Sequence, residues 1–106
     1  MTSHNNEQPS ERTEALAAIL RAMPGTNSVC QRNRILTAMQ QLGSVTSYEA
    51  SRYLDCYYPP ARVYELRKAG HRINTMMRGE RTESGVMHFV GVYLLEARNH
   101  VSGSAA

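Results

Sequence analysis

Between Pro59 and Gly70 the chain reads PPARVYELRKAG, which crowds Arg62, Tyr64, Glu65, Arg67 and Lys68 into one short stretch. Guanidinium and ammonium groups bind phosphates, and a carboxylate or a cation can also bond to a base edge in a groove. A tyrosine adds a flat ring with a polar tip. On a helix each residue advances about 100°. Val63, Leu66 and Gly70 then share one side, the expected core face. Ala61, Tyr64, Glu65 and Lys68 point the opposite way, and Arg62 and Arg67 flank the core face. The small Ala61 would let such a helix approach a groove closely, so all six positions are candidate duplex contacts, with pairing to Glu49, Asp55 or Glu65 inside the domain as the alternative for Arg62 and Arg67.

Two further groups fit the same chemistry. Arg78 and Arg81, in MRGERTESG, are spaced to lie against a groove or backbone from a hairpin tip, although Glu80 and Glu83 dilute their charge. Ser44, Thr46 and Ser47 open a short helix whose first N–H groups are candidate phosphate ligands. Arg32 and Arg34 are expected either to extend the basic surface or to stand as solvated charges.

Bond-making chemistry finds little support. The chain has no P-loop, HExxH, paired-carboxylate or nucleophile-elbow pattern. Cys30 and Cys56 form no CxxC pair, and His71 and His88 lack ligand spacing to either, so free thiols and no metal are expected. His71 and His88 are expected to face each other across the hairpin. Neither an enzyme nor a cofactor is indicated.

The elements that must position these residues follow from periodicity. Residues 1–9 are polar and expected to be disordered. Ser10 is a candidate cap for a helix over Glu11–Met23, with Leu16, Ile19, Leu20 and Met23 as its apolar stripe. Pro24 and Gly25 end it, and a linker runs to residue 27. A second helix from Ser28 carries Cys30 or Gln31, Ile35, Leu36, Met39 and Leu42 on its buried side and ends at Gly43. Val45 lies in a strand of one or two residues. Thr46 and Glu49 match a capping box opening a third, short helix. Pro60 starts a fourth helix running to Ala69, with one of Tyr57 and Tyr58 closing the core beside it. HRINTMM and VMHFVGVYLL alternate like strands around the RGERTESG loop, and residues 98–106 form a flexible tail.

Helix, helix, short strand, helix, helix and hairpin is the order of an α+β, mostly α, winged helix-turn-helix: a three-helix core with a C-terminal β-hairpin wing, here with an extra N-terminal helix. The domain is expected over residues 28–97, preceded by the helix and linker of 10–27. The chain resembles the small helix-turn-helix domains common in phage and prophage genes. Ile35 and Leu36 fit that family's first helix; Gly43, Val45, Thr46, Glu49 and Ala50 fit the entry to its second. Ala61, Arg62, Val63, Leu66, Arg67, Gly70 and Ile73 fit its third helix running into a strand. The resemblance spans about Gln31 to Leu95 and leaves the first helix outside. It implies a DNA-binding module, often regulatory.

Charge agrees in its placement more than in its size. The formal net charge is +3 over 106 residues, but nine cations face five anions between residues 28 and 95. A nucleic-acid footprint belongs there. Sequence-specific double-stranded DNA binding by a phage or prophage transcriptional regulator is the expected function. Docking on a host protein, or an excisionase-like DNA-bending role, stands as the alternative. The Leu16–Met23 stripe offers a route to a homodimer, and the edge of the FVGVYLL strand offers another. No apolar run reaches membrane-spanning length and the start lacks signal-peptide character, so the cytoplasm is the expected location.

Overall fold

Each helix begins where its sequence supplies a cap. In the computed structural model, which describes residues 10–96, α1 spans Glu11–Ala22 and the Ser10 hydroxyl accepts the Thr13 N–H at 3.0 Å. The disorder expected of residues 1–9 and the tail of 98–106 lie outside the described residues. Helix α2 (Ser28–Leu42) is capped by Asn27, whose side chain accepts the Cys30 N–H at 2.9 Å, and ends at Gly43 with φ +87°. That left-handed turn carries the chain at once into β1 (Ser44–Thr46). Helix α3 (Ser47–Tyr53) opens with the expected capping box: Thr46 accepts from the Glu49 N–H, and the Glu49 carboxylate accepts from the Thr46 N–H. Helix α4 (Pro59–Lys68) begins one residue earlier than the sequence suggests, with both prolines in its first turn, where the missing N–H groups cost no bond.

Strands β2 (Ile73–Arg81) and β3 (Met87–Leu95) form the expected hairpin, and β1 joins them in an antiparallel sheet ordered β1-β3-β2. The mostly α, α+β architecture is therefore present, with a third strand in its sheet. Strand β3 is central, so it does not offer the free edge foreseen for FVGVYLL; the long free edge belongs to β2. The ladder is unbroken from Ile73–Leu95 to Arg81–Met87, which shortens the expected Arg78–Gly85 loop to Thr82–Val86. Polar residues enter the strands here because the hairpin extends past the helices and is wet on both faces. The register also sets His88 opposite Glu80 rather than His71, which lies before β2.

One core serves all the elements. Leu16 and Ile19 of α1 pack with Ile35, Ala38 and Met39 of α2, with Val45, Ala50 and Leu54, with Val63 and Leu66 of α4, and with Ile73 and Tyr93 of the sheet. Leu16 and Ile19 of the α1 stripe are thus buried within their own chain and Met23 packs against the same core, which leaves half-buried Leu20 outside it. Cys56 and Pro59 fill the corner between α3 and α4. Tyr57 and Tyr58, one of which was expected there, stand 65% and 62% exposed.

Two polar side chains of α2 hold that corner in place, and neither is the solvated group its type suggests. Arg34 is fully buried. It donates from Nε to the Leu54 carbonyl at 2.7 Å, from Nη1 to the Met23 and Gly25 carbonyls at 2.6 and 2.9 Å, and from Nη2 to the Asp55 carbonyl at 3.4 Å. Met23 and Leu54 are the C-caps of α1 and α3. A single guanidinium therefore meets the electron-rich ends of two helices, where carbonyls lack intrahelical partners and the dipoles favour a cation. One turn earlier, buried Gln31 donates to the Thr26 carbonyl at 2.7 Å and accepts from the Tyr57 N–H at 3.1 Å.

At the other end of α3, Arg12 of α1 grips Glu49 with two bonds, at 2.7 and 3.0 Å, and also donates to the Ser44 carbonyl at 2.8 Å. Burial alone would push the Glu49 carboxyl up, but Arg12 and the Thr46 N–H and hydroxyl together outweigh it and hold its pKa below the ordinary range. A depressed folded-state pKa adds stability that is present above the unfolded value and lost as pH falls through the folded one. The thermal midpoint is therefore expected to drop as pH falls below about 4.5, with the Glu49→Gln variant dropping less over that interval. Parallel melting curves for the two proteins would contradict this.

Candidate nucleic-acid interface

Helix α4 has three differently used sides. Val63 and Leu66 are buried in the core. A second side is tied down by ion pairs: the Glu65 carboxylate accepts from Arg32 of α2 at 3.0 Å and from Arg62 at 2.9 Å. Glu65 therefore pins α4 to α2 through Arg32 while Arg62 braces it within α4, and neither is a free contact group. Arg67 reaches the other way, donating to the Ile73 carbonyl at 2.9 Å and to the Thr75 hydroxyl at 2.8 Å, which fixes the angle between α4 and the hairpin. The third side is open. Tyr64 is 60% exposed, Lys68 is exposed with its ammonium 5.6 Å from the Tyr64 ring centroid, and Ala61 is half-buried beside them.

The remaining sequence candidates divide. Arg78 is bound to Glu80 at 2.7 Å, and Arg81 donates to the Gly85 carbonyl at 2.8 Å; both remain exposed on the hairpin. Thr46 is buried with its hydroxyl committed to the capping box, and Glu49 brings to that helix start the negative charge a phosphate would otherwise supply. Ser44 is half-buried in β1 with its carbonyl held by Arg12, and Ser47 is half-buried at the first position of α3. Ser44 and Thr46 thus serve a structural joint between α1, β1 and α3.

The cations show what the sequence could not rank. Of the nine between residues 28 and 95, Arg34 is buried, and Arg32, Arg62, Arg67, Arg72, Arg78 and Arg81 each hold a carboxylate, carbonyl or hydroxyl. Lys68 does not, among the described residues, and lies against the Tyr64 ring; Arg52 lies 5.5 Å from the Tyr53 ring centroid, with the Tyr53 and Tyr48 side chains favouring its charged form. Such rings hold a cation without neutralising it. Arg52 was not singled out from sequence. With Tyr48 of α3 it lines a cleft shared with Arg81, Thr82, Ser84 and His88 of the hairpin. Its signal was position: it sits in the last turn of a capped helix, three residues before the Asp55 break.

Helix, tight turn, positioning helix, exposed helix and projecting hairpin is an arrangement with a name, and the family model for the winged helix-turn-helix domain matches residues 30–98. The chain belongs to that family. Neither a curated protein nor a solved structure matches it. In winged-helix terms α3 and α4 are the helix-turn-helix, α4 holds the recognition position and β2–β3 is the wing. Helix α1 lies outside the matched residues, yet Arg12, Leu16 and the Met23 carbonyl tie it into the winged-helix body. Among the described residues no helix is long and apolar enough to cross a membrane, and no group of acids, cysteines and histidines is placed to hold a metal.

Proposed function

We propose that the chain binds double-stranded DNA sequence-specifically through α4 and acts as a cytoplasmic transcriptional regulator of phage or prophage type, with no catalytic role. One observation carries this reading. The open side of α4 presents Tyr64 and Lys68, with Lys68 charged and free, on a helix whose other sides are buried or pinned. That is the form a helix needs in order to enter a major groove as a rigid body. Arg52 and the wing residue Arg81 flank it as phosphate contacts. The motif resemblance over Gln31–Leu95 supports the phage-type regulatory role.

The reading separates Lys68 from Glu65. Lys68→Ala removes a free cation, so affinity for any duplex falls and the slope of log K against log salt flattens by about 0.9 if the lost contact is one phosphate. Glu65→Gln breaks the joint with Arg32 and Arg62 and is expected to act on stability instead. Fluorescence anisotropy with random-sequence duplex over a salt series checks both. Wild-type protein that shows no salt-sensitive binding at low salt would remove the proposal, and an unchanged slope in Lys68→Ala would remove the assigned contact.

A further inference from the structure

The outer edge of β2 is a long, open strand edge. Thr82 N–H donates to the Val86 carbonyl at 3.0 Å and Glu96 N–H donates to the Arg72 carbonyl at 2.8 Å, so even-numbered residues of this strand turn their backbone groups toward β3. Odd-numbered residues turn theirs outward. Arg67 covers the start of that edge by donating to the Ile73 carbonyl and the Thr75 hydroxyl. Beyond Thr75, no described strand pairs with it. The open part, Met76–Arg81, has no proline, no lysine and an unbroken register without a bulge. Proline, bulges and charged side chains are the devices that ordinarily blunt such an edge, and only the last is present, as Arg78, Glu80 and Arg81.

We propose that two copies of the chain join through this edge, with the β2 strands antiparallel about a two-fold axis at Gly79. Three observations converge on a second copy as the occupant. The first is backbone polarity: Met77, Gly79 and Arg81 face outward, and this axis sets Met77 beside Arg81 of the second copy and Gly79 beside its own counterpart, forming about six main-chain hydrogen bonds. The second is charge. The same axis places Arg78 opposite Glu80 of the second copy, twice by symmetry, so the intrachain pair at 2.7 Å becomes part of a four-charge cluster.

The third is the apolar face above the edge. The ladder puts Met77, Phe89 and Met87 on one face of the wing, and all three are exposed, Phe89 at 71%. A Cβ at Gly79 would lie 3.1 Å from the Met87 sulfur and 3.4 Å from the Phe89 ring, so these side chains already lean over the glycine. With the axis at Gly79, only the two glycines lie between the Phe89 residues of the two copies, so both rings can lean inward over one glycine floor. The isologous contact closes on itself, as a dimer interface must. The proposal does not rest on DNA binding.

Sedimentation equilibrium of the full chain tests it. Wild type is expected to have the mass of two chains at high concentration. Arg78→Glu and Glu80→Arg each place like charges in opposition at both symmetric positions and are expected to raise the monomer–dimer midpoint by about tenfold or more. An equimolar mixture of the two variants restores the dimer, because each chain then carries the sign the other needs. Hydrogen exchange on the wild type guards against misfolded variants: the amides of Met77, Gly79 and Arg81 are protected at high concentration and lose protection on dilution. A monomer at every concentration overturns the proposal, as do single variants that associate like wild type. Protection of those three amides that survives dilution also overturns it, by giving the edge to an occupant from the same chain.

Discussion

Replacing Arg34 with methionine is expected to cost about 3 kcal/mol, a large part of the stability of a domain of this size. Methionine fills much of the same volume, so the loss is not one of packing. It comes from the carbonyls of Met23, Gly25, Leu54 and Asp55, which would lose their donor, that of Leu54 in a buried site and the others in part-buried ones. Arg34→Lys is expected to recover only a small part. A single ammonium keeps the charge but lacks the planar fork that reaches two helix ends at once. Urea denaturation of the three proteins measures this directly. A loss below about 1 kcal/mol in Arg34→Met would mean that these helix ends find water or other partners, and that Arg34 does not hold the corner from which α4 starts.

Leu16→Ala is expected to cost about 2–5 kcal/mol. Leu16 is fully buried in the core formed by α2, α3, α4 and the sheet, although it lies outside the residues that the family model matches. If α1 were an appendage, shortening Leu16 would leave the winged-helix body unchanged, and α1 would melt separately. The shared core and the Arg12 and Arg34 ties instead make α1 part of one cooperative unit. A single unfolding transition, shifted as a whole to lower urea, is the expected result; two transitions, or a shift below about 1 kcal/mol, would contradict it.

What the sequence made legible was local. Ser10, the Thr46–Glu49 capping box and the left-handed Gly43 act within four residues of themselves, so their types announce their roles. The stripes Leu16–Ile19 and Ile35–Met39 repeat at helical spacing and mark buried faces. The face of α4 was legible for the same reason, since Tyr64 and Lys68 lie one turn apart, opposite Val63 and Leu66.

What stayed illegible depends on contacts between distant segments. Arg34 reads as a surface charge because its partners are main-chain carbonyls, which have no sequence signature. Arg12 and Glu49 are 37 residues apart, and nothing local marks them as a pair. Glu65 looked like a base-reading carboxylate until Arg32 arrived from another helix to occupy it. The corner between α3 and α4 has room for Cys56 and Pro59, which turned Tyr57 and Tyr58 outward. The reach of the wing was hidden for a different reason: an arm wet on both faces needs no alternation of apolar and polar residues, so its strands ran past the point where the pattern faded.

The central claim is that the open side of α4 meets duplex DNA. Titrating isotope-labelled full chain with a short random-sequence duplex at low salt, and following backbone amide and Lys68 side-chain resonances, tests it most directly. The account predicts salt-reversible shifts concentrated at Ala61, Tyr64 and the Lys68 ammonium, with a second group at Arg52 and the Thr82–Val86 turn, while the amides of Leu16 and Ile19 stay still. Shifts that are absent, or that gather on α1 and leave Tyr64 and Lys68 unmoved, would contradict it.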